Sequence, residues 1–156
     1  MKSTSTGLIL QAGEGERVVR RWGSPTVIKV DPQHGHSKKL VVFTEEVAPG
    51  TAIPLHKHDT EEVILLQRGE ATAIVGDKRK QVTTGATIYV PEGTWHGLEN
   101  SSGDPVSVMG IFVTPGYDKY LRATSVPEGQ AVKSLSTEET VAIRLQFRGT
   151  IPFKEE

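Results

Sequence analysis

The chain predicts an all-β fold of sandwich or barrel type, and three observations carry that prediction. Short runs rich in Val, Ile, Thr and Leu recur at residues 17–22, 26–30, 39–47, 62–67, 71–75, 86–90 and 106–114. Explicit turn signals lie between them: Pro49-Gly50, Gly76-Asp77, Pro91 with Gly93, and Ser101 to Pro105 reading Ser-Ser-Gly-Asp-Pro. Helical spacing sets in only after Pro115. Many short strands separated by tight turns suit two packed sheets or a closed barrel.

Each element has its own reason. Residues 1–17 contain a single apolar run, Leu8 to Leu10, far short of a signal-peptide core or a membrane span. Residues 17–30 read as N-terminal strands. The segment Asp31-Pro32-Gln33-His34-Gly35-His36 is polar and holds Pro and Gly, so it reads as a solvated loop. His34 and His36 in a second metal site, or in a lid over a barrel mouth, are the functional alternatives. Gly50, Gly69 and Gly85 flank apolar runs and read as corners. Pro91 ends the run 86–90 by removing a ladder donor, Gly93 permits the turn that aims His96 inward, and Asn100 ties that turn. Tyr117, Tyr120 and Leu121 fall at helical spacing and predict one short helix. Residues 126–133, with Pro127 and Gly129, read as a flexible connector. Ser136 with Glu139 makes a capping box, yet Val141, Ile143, Leu145 and Phe147 alternate as a strand would, which leaves 137–148 open between helix and strand.

Composition bounds the rest. At 156 residues the chain is expected to form one domain over 1–156. A formal net charge of −1 with scattered Lys and Arg leaves no electrostatic footprint for nucleic acid. With no cysteine there are no disulfides and no thiol chemistry. A cytoplasmic protein without a membrane partner is the expectation.

The chemistry concentrates in two blocks: Gly50, His56, His58, Glu62 and Gly69, then Gly85, Pro91, Gly93, His96 and Asn100. On a strand, His56 and His58 at i and i+2 project from one face toward one point. Glu62 lies past the polar stretch 57–61, where a bend can bring its carboxylate to the same place. His96 arrives from a different strand. Taken singly, each is as ordinary as a polar edge, a solvated charge or a core histidine; taken together they spell a metal site. Three imidazole nitrogens and a carboxylate oxygen suit Fe, Mn, Ni, Cu or Zn and suit Ca or Mg poorly.

Written as spacing, the blocks are G-x5-H-x-H-x3-E-x6-G and G-x5-P-x-G-x2-H-x3-N, separated by fifteen residues. They resemble both motifs of the cupin superfamily, matching at all ten positions. The resemblance implies a cupin-type double-stranded β-helix, a jelly-roll barrel with short C-terminal helices. The barrel core would cover about 39–114, with N-terminal strands at 17–30 and a C-terminal helical segment at 115–150. It favours helix for 137–148, and it implies a homodimer in which the segment 17–30 is exchanged across a two-fold axis. It also implies a divalent transition metal held by His56, His58, Glu62 and His96.

Open coordination positions then point to a metal-dependent enzyme acting on a small chelating substrate, with dioxygenase or oxidoreductase chemistry as the first expectation. An enediol, β-diketone, catechol or α-hydroxy acid would chelate the metal and lose a proton to Glu62 or to metal-bound hydroxide. A lyase, an isomerase, or a non-catalytic small-molecule-binding cupin are the alternatives. The sensing half of a transcription regulator would need a helix-turn-helix extension for which the chain has no room. If Glu62 faces inward, Ile64 and Leu66 share its face. Tyr89, Trp95, Met109 and Phe112 are candidates to line a pocket, with ordinary core packing the stronger reading for each. Beyond the ligands, no further general base stands out near either block.

Overall fold

The computed structural model describes residues 7–114 and 116–146. Eleven strands and two helices are found among them: β1 Glu16–Arg20, β2 Pro25–Val30, β3 Val41–Val47, β4 Ala52–His56, β5 Glu62–Arg68, β6 Glu70–Val75, β7 Lys78–Thr83, β8 Thr87–Val90, β9 His96–Glu99, β10 Val106–Phe112, α1 Tyr117–Ala123, β11 Ser125–Pro127 and α2 Thr137–Gln146. They form two antiparallel sheets, one ordered β11-β1-β2-β3-β10-β5-β8 and the other β4-β9-β6-β7. This is the jelly-roll barrel that the motifs imply.

Alternation along the central strands builds the core. Val41, Phe43 and Val47 of β3, Ile64 and Leu66 of β5, and Val106, Val108 and Phe112 of β10 are buried, with Glu45 and Gly110 on the same inward phase, while the residues of opposite phase are more exposed. The buried apolar residues form two clusters. One centres on Leu66, Leu98 and Val108, the other on Phe43, Phe112 and Leu121 of α1. Asn100 ties its turn as expected, its amide donating to the carbonyls of Val47 (2.9 Å) and Asp104 (2.8 Å). At Gly69 φ is 96° and an added Cβ would meet Val106 at 3.0 Å, so this corner requires glycine on two counts.

The structure departs from the sequence reading at three elements, β7, β4 and β11. β7 reads Lys-Arg-Lys-Gln-Val-Thr and carries almost no apolar signal. It forms because the two-residue Gly76-Asp77 turn folds it back on β6 in the register Val75↔Lys78. β4 contains Pro54, which sits at the register shift between Ile53 and His56, the kind of place where a strand tolerates proline. β11 occupies the start of the expected connector 126–133 and pairs with β1. Helix, not strand, holds in 137–146. Ser136 N–H donates to Glu139 Oε2 (2.8 Å) and Glu139 N–H to Ser136 Oγ (3.1 Å), the reciprocal capping box; residues 147–148 lie outside the described residues. The segment 17–30 folds as a hairpin that pairs with β3 of its own chain.

One ion cluster fastens α1 to the N-terminal hairpin. The Arg122 guanidinium reaches Glu16 (2.6 Å), Asp118 (2.8 Å) and the fully buried Asp31. Burial opposes the charge on Asp31, yet hydrogen bonds from Arg122 and His34 hold its carboxyl below the usual 3.8. Because the folded value is lowered, this contribution to stability is present above about 3.8 and is lost as pH falls below it. Arg122→Met leaves two buried carboxylates without their cation, and is expected to destabilise by about 3–5 kcal/mol. Urea unfolding at neutral pH measures this, and a loss below about 1 kcal/mol would contradict the assignment.

Candidate metal centre

The four motif residues come together from both sheets. His56 ends β4 and His96 opens β9, and the two are directly paired across the strands, which sets their rings 4.2 Å apart between centroids. His58 lies beyond the end of β4 rather than within it, so its approach is a loop's work and not simple strand alternation. Its ring stands 4.7 Å from that of His96 and 5.6 Å from that of His56. Gly93 N–H donates to the His58 carbonyl (2.8 Å) and so ties the second motif block to the first. Glu62 opens β5 in the opposing sheet and is buried, with Ile64 and Leu66 on the same face as expected.

The hydrogen bonds fix how the rings face. Nδ1–H of His56 donates to the Pro54 carbonyl (2.7 Å), that of His58 to the Thr60 carbonyl (2.9 Å) and that of His96 to the Thr94 carbonyl (2.9 Å). With Nδ1 of each ring donating to a backbone carbonyl, Nε2 is the atom through which each histidine would ligate a metal. Nε2 of His58 and of His96 then lie 3.1 and 3.2 Å from Glu62 Oε2, so that either a proton on each nitrogen or a shared metal cation stands between them and the carboxylate. One donor atom from each of the four residues lies within 4.8 Å of the others. Two ligand atoms about 2.1 Å from a metal ion and at right angles to it are about 3.0 Å apart, which matches. The residues therefore fit a divalent transition metal.

Electrostatics agree. The carboxyl of Glu62 is opposed by burial, but the bonds and charges of His58 and His96 outweigh this and bring it down to about 2. His56 is held well below its usual value by burial first, then by its neighbours His96 and His58, and so is a neutral imidazole at physiological pH. Such a value makes Glu62 a ready metal ligand and a weak proton acceptor.

A small cavity of about 30 Å³ continues inward from the cluster. Phe112 lines it, as one of the four aromatic and apolar candidates was expected to. The other three do not. Tyr89 is 54% exposed and bonds Glu61 on the outside, Trp95 is half-buried under the Lys57 ammonium (5.0 Å), and Met109 lies on the outer face of the larger sheet. Each sits one residue out of phase with an inward neighbour: Val90, His96 or Val108.

Two charged residues that the sequence reading passed over do line the cavity, Arg20 of β1 and Glu45 of β3. Glu45 accepts a hydrogen bond from Trp22 Nε1 (2.8 Å), and burial raises its carboxyl despite the opposing Arg20 charge and that bond. Both were legible in principle. Glu45 alternates with Phe43 and Val47, and Arg20 with Val18, so each is a charge on a core-facing position.

His34 and His36 do not join the centre. Their rings stack on each other at 5.5 Å, and His34 Nδ1 lies 2.9 Å from Asp31 Oδ1. Glu16, Asp31 and His34 are close enough to hold an ion, but the Arg122 guanidinium already supplies the positive charge there.

With this geometry in view, comparisons place the chain. Residues 43–113 match the Cupin_2 family model, described as a cupin domain. Mannose-1-phosphate guanylyltransferase 2 of Escherichia coli O157:H7 is 33% identical over 94 residues, which is 60% of this chain and 18% of that protein. Auxin-binding protein 1 of Arabidopsis thaliana is 24% identical over 91 residues, 53% of this chain and 46% of that one. The chain thus spans less than half of each of these relatives. Among solved structures, a predicted oxalate decarboxylase from Thermotoga maritima superposes with a TM-score of 0.62 at 16% identity, covering 69% of this chain and 99% of the other. The polyketide cyclase RemF from Streptomyces resistomycificus does so with 0.59 at 18% identity, covering 69% and 79%. These likenesses show a shared fold. The matched segment, the barrel around it and the two complete motif blocks are those of a cupin domain.

Proposed function

We propose that this protein is a metal-dependent cupin enzyme acting on a small, metal-chelating organic molecule, with dioxygenase-type oxidoreductase as its reaction class. The observation that carries the metal is the convergence of three imidazoles, each with Nδ1 tied to a backbone carbonyl, on one carboxylate oxygen. His56, His58, Glu62 and His96 hold the ion. A bound transition metal supplies Lewis-acid activation of a chelating oxygen and, as Fe or Cu, redox reactivity toward dioxygen.

The chain's own residues do the rest. Glu62 stays ionised throughout the neutral range and offsets the ion's charge. The apolar wall of Ile53, Ile64, Leu98, Val108 and Phe112 excludes bulk water, which strengthens every charge interaction inside. We place the protein in the cytoplasm as a two-fold homodimer, with a small-molecule substrate and no nucleic-acid partner. The weak net charge supports the last point, and the short strands β11 and β8 at the edges of the larger sheet offer places for a second copy to join. Among the described residues no helix is long and apolar enough to cross a membrane.

Elemental analysis of the purified protein, with oxygen uptake followed over enediols, diketones, catechols and α-hydroxy acids, tests the reading. About one Fe, Mn, Ni or Cu per chain with metal-dependent oxygen consumption is the expected result. Metal without oxygen uptake would replace the oxygenase with a lyase, isomerase or binding protein, and absence of metal would remove the central claim.

A further inference from the structure

Resting on the metal-site reading, we propose that Arg20 is an anion-binding residue that receives the carboxylate of a short organic acid whose other oxygen donor faces the metal cluster. The observation behind it is a buried cation with unmet donors, which the charge of Glu45 opposes without a hydrogen bond to either of them. Arg20 is only 5% exposed, yet its Nε and Nη1 are buried without any hydrogen-bond partner. Arginine carries five N–H donors and cannot shed its charge, so burying two donors unmet needs a compensating ligand. The guanidinium lies 4.4 Å from the Trp22 ring centroid and 6.0 Å from that of Tyr120, faces that hold it in place without using its in-plane donors. It lines the same cavity as His56, His58, Glu62 and His96.

Charge arithmetic favours an anion. With a divalent ion bound, the cavity holds +2 from the metal and +1 from Arg20 against at most −2 from Glu45 and Glu62, a net of at least +1 that a carboxylate offsets. Free space of about 30 Å³ is room for about two waters, so the acid is a short one. A planar carboxylate matches the guanidinium fork, and a hydroxyl or keto oxygen on the next carbon is left to face the cluster.

Glycolate and its uncharged isostere glycolamide separate the acid from its shape, and calorimetric titration of the Mn-loaded full-length chain measures both. Wild type is expected to bind glycolate at least tenfold more tightly than glycolamide. Arg20→Met is expected to lose that preference while its Mn content stays equal to wild type. Arg20→Lys keeps the charge beside Glu45, guards against a folding defect in the Met variant, and is expected to retain part of the preference. Equal glycolate affinity in all three proteins, or equal affinity of wild type for the two ligands, would overturn the role of Arg20, as would no glycolate binding at all. Should wild type bind no metal, the proposed function fails instead. The same titration on the metal-free chain then reads Arg20 alone, with an Arg20-dependent preference for glycolate sustaining the inference and its absence ending it.

Discussion

His96→Ala is expected to abolish stable metal binding and, with it, the thermal stabilisation that metal gives the wild-type protein. The variant removes one of three imidazoles and one of the two histidine partners of Glu62 Oε2. A ligand that binds only the native state stabilises it by RT ln(1 + [L]/Kd), about 2.7 kcal/mol at a hundredfold excess over Kd. For a chain of this size that is a rise of roughly 5–10 °C in Tm, which the variant should not show. In the metal-free protein the comparison isolates Glu62. Its carboxyl is lowered from the usual 4.5 to about 2, so its contribution is present above about 4.5 and is lost as pH falls toward about 2. His96→Ala should shrink that acid-side slope. Calorimetry with and without added metal, repeated across pH 2 to 6, reads both effects. An unchanged metal-dependent rise in the variant would remove His96 from the ligand set.

The convergent cluster of three histidines and Glu62 was the most legible part of the sequence because the chemistry it suits admits few substitutes. Two imidazoles, a carboxylate and a third imidazole at fixed offsets cannot be read from composition, but they stand out from spacing. Strands with one buried face were legible for a similar reason: alternation in β3, β5 and β10 reports the core directly. What escaped was formed by context. β7 is polar throughout its exposed surface and exists through the register of a hairpin, while β4 needs a bulge at Pro54 that no local propensity announces. The same bulge supplies the carbonyl that orients His56. Pocket residues were misplaced through phase: Tyr89 and Trp95 looked suitable by type, but their neighbours Val90 and His96 own the inward face. Arg20 and Glu45 were passed over because charges on strands are ordinary at a surface. Their phase with Val18, Phe43 and Val47 carried the information that type did not.

Gly110→Ala is the second change with a large expected effect, and it links the barrel's packing to its chemistry. Gly110 lies inside β10, opposite Phe43 of β3 and Ile64 of β5. A Cβ there would fall 2.2 and 2.5 Å from two carbons of the Phe43 ring and 2.9 Å from Glu62 Oε1. The Phe43 ring is held from behind by its aromatic neighbours. The Phe43 ring packs on Phe112 (5.2 Å between centroids), which packs in turn on His58 (5.2 Å). Overfilling a packed core in this way costs about 1–3 kcal/mol, and part of the displacement falls on the carboxylate and one imidazole of the metal site. Gly110→Ala should therefore lower both the unfolding midpoint and the metal affinity, the latter by at least tenfold. Gly103, where an added Cβ meets nothing within 4 Å, provides the control and should change stability by less than about 0.5 kcal/mol. Combining Gly110→Ala with Phe43→Leu separates the two contacts, since the smaller side chain relieves the clash with the ring and leaves the clash with Glu62. The double variant is expected to regain part of the stability while its metal affinity remains low. Recovery of both together would show that the substitution reaches the metal site through the aromatic chain alone, and that the close approach of β10 to Glu62 plays no part in positioning the carboxylate.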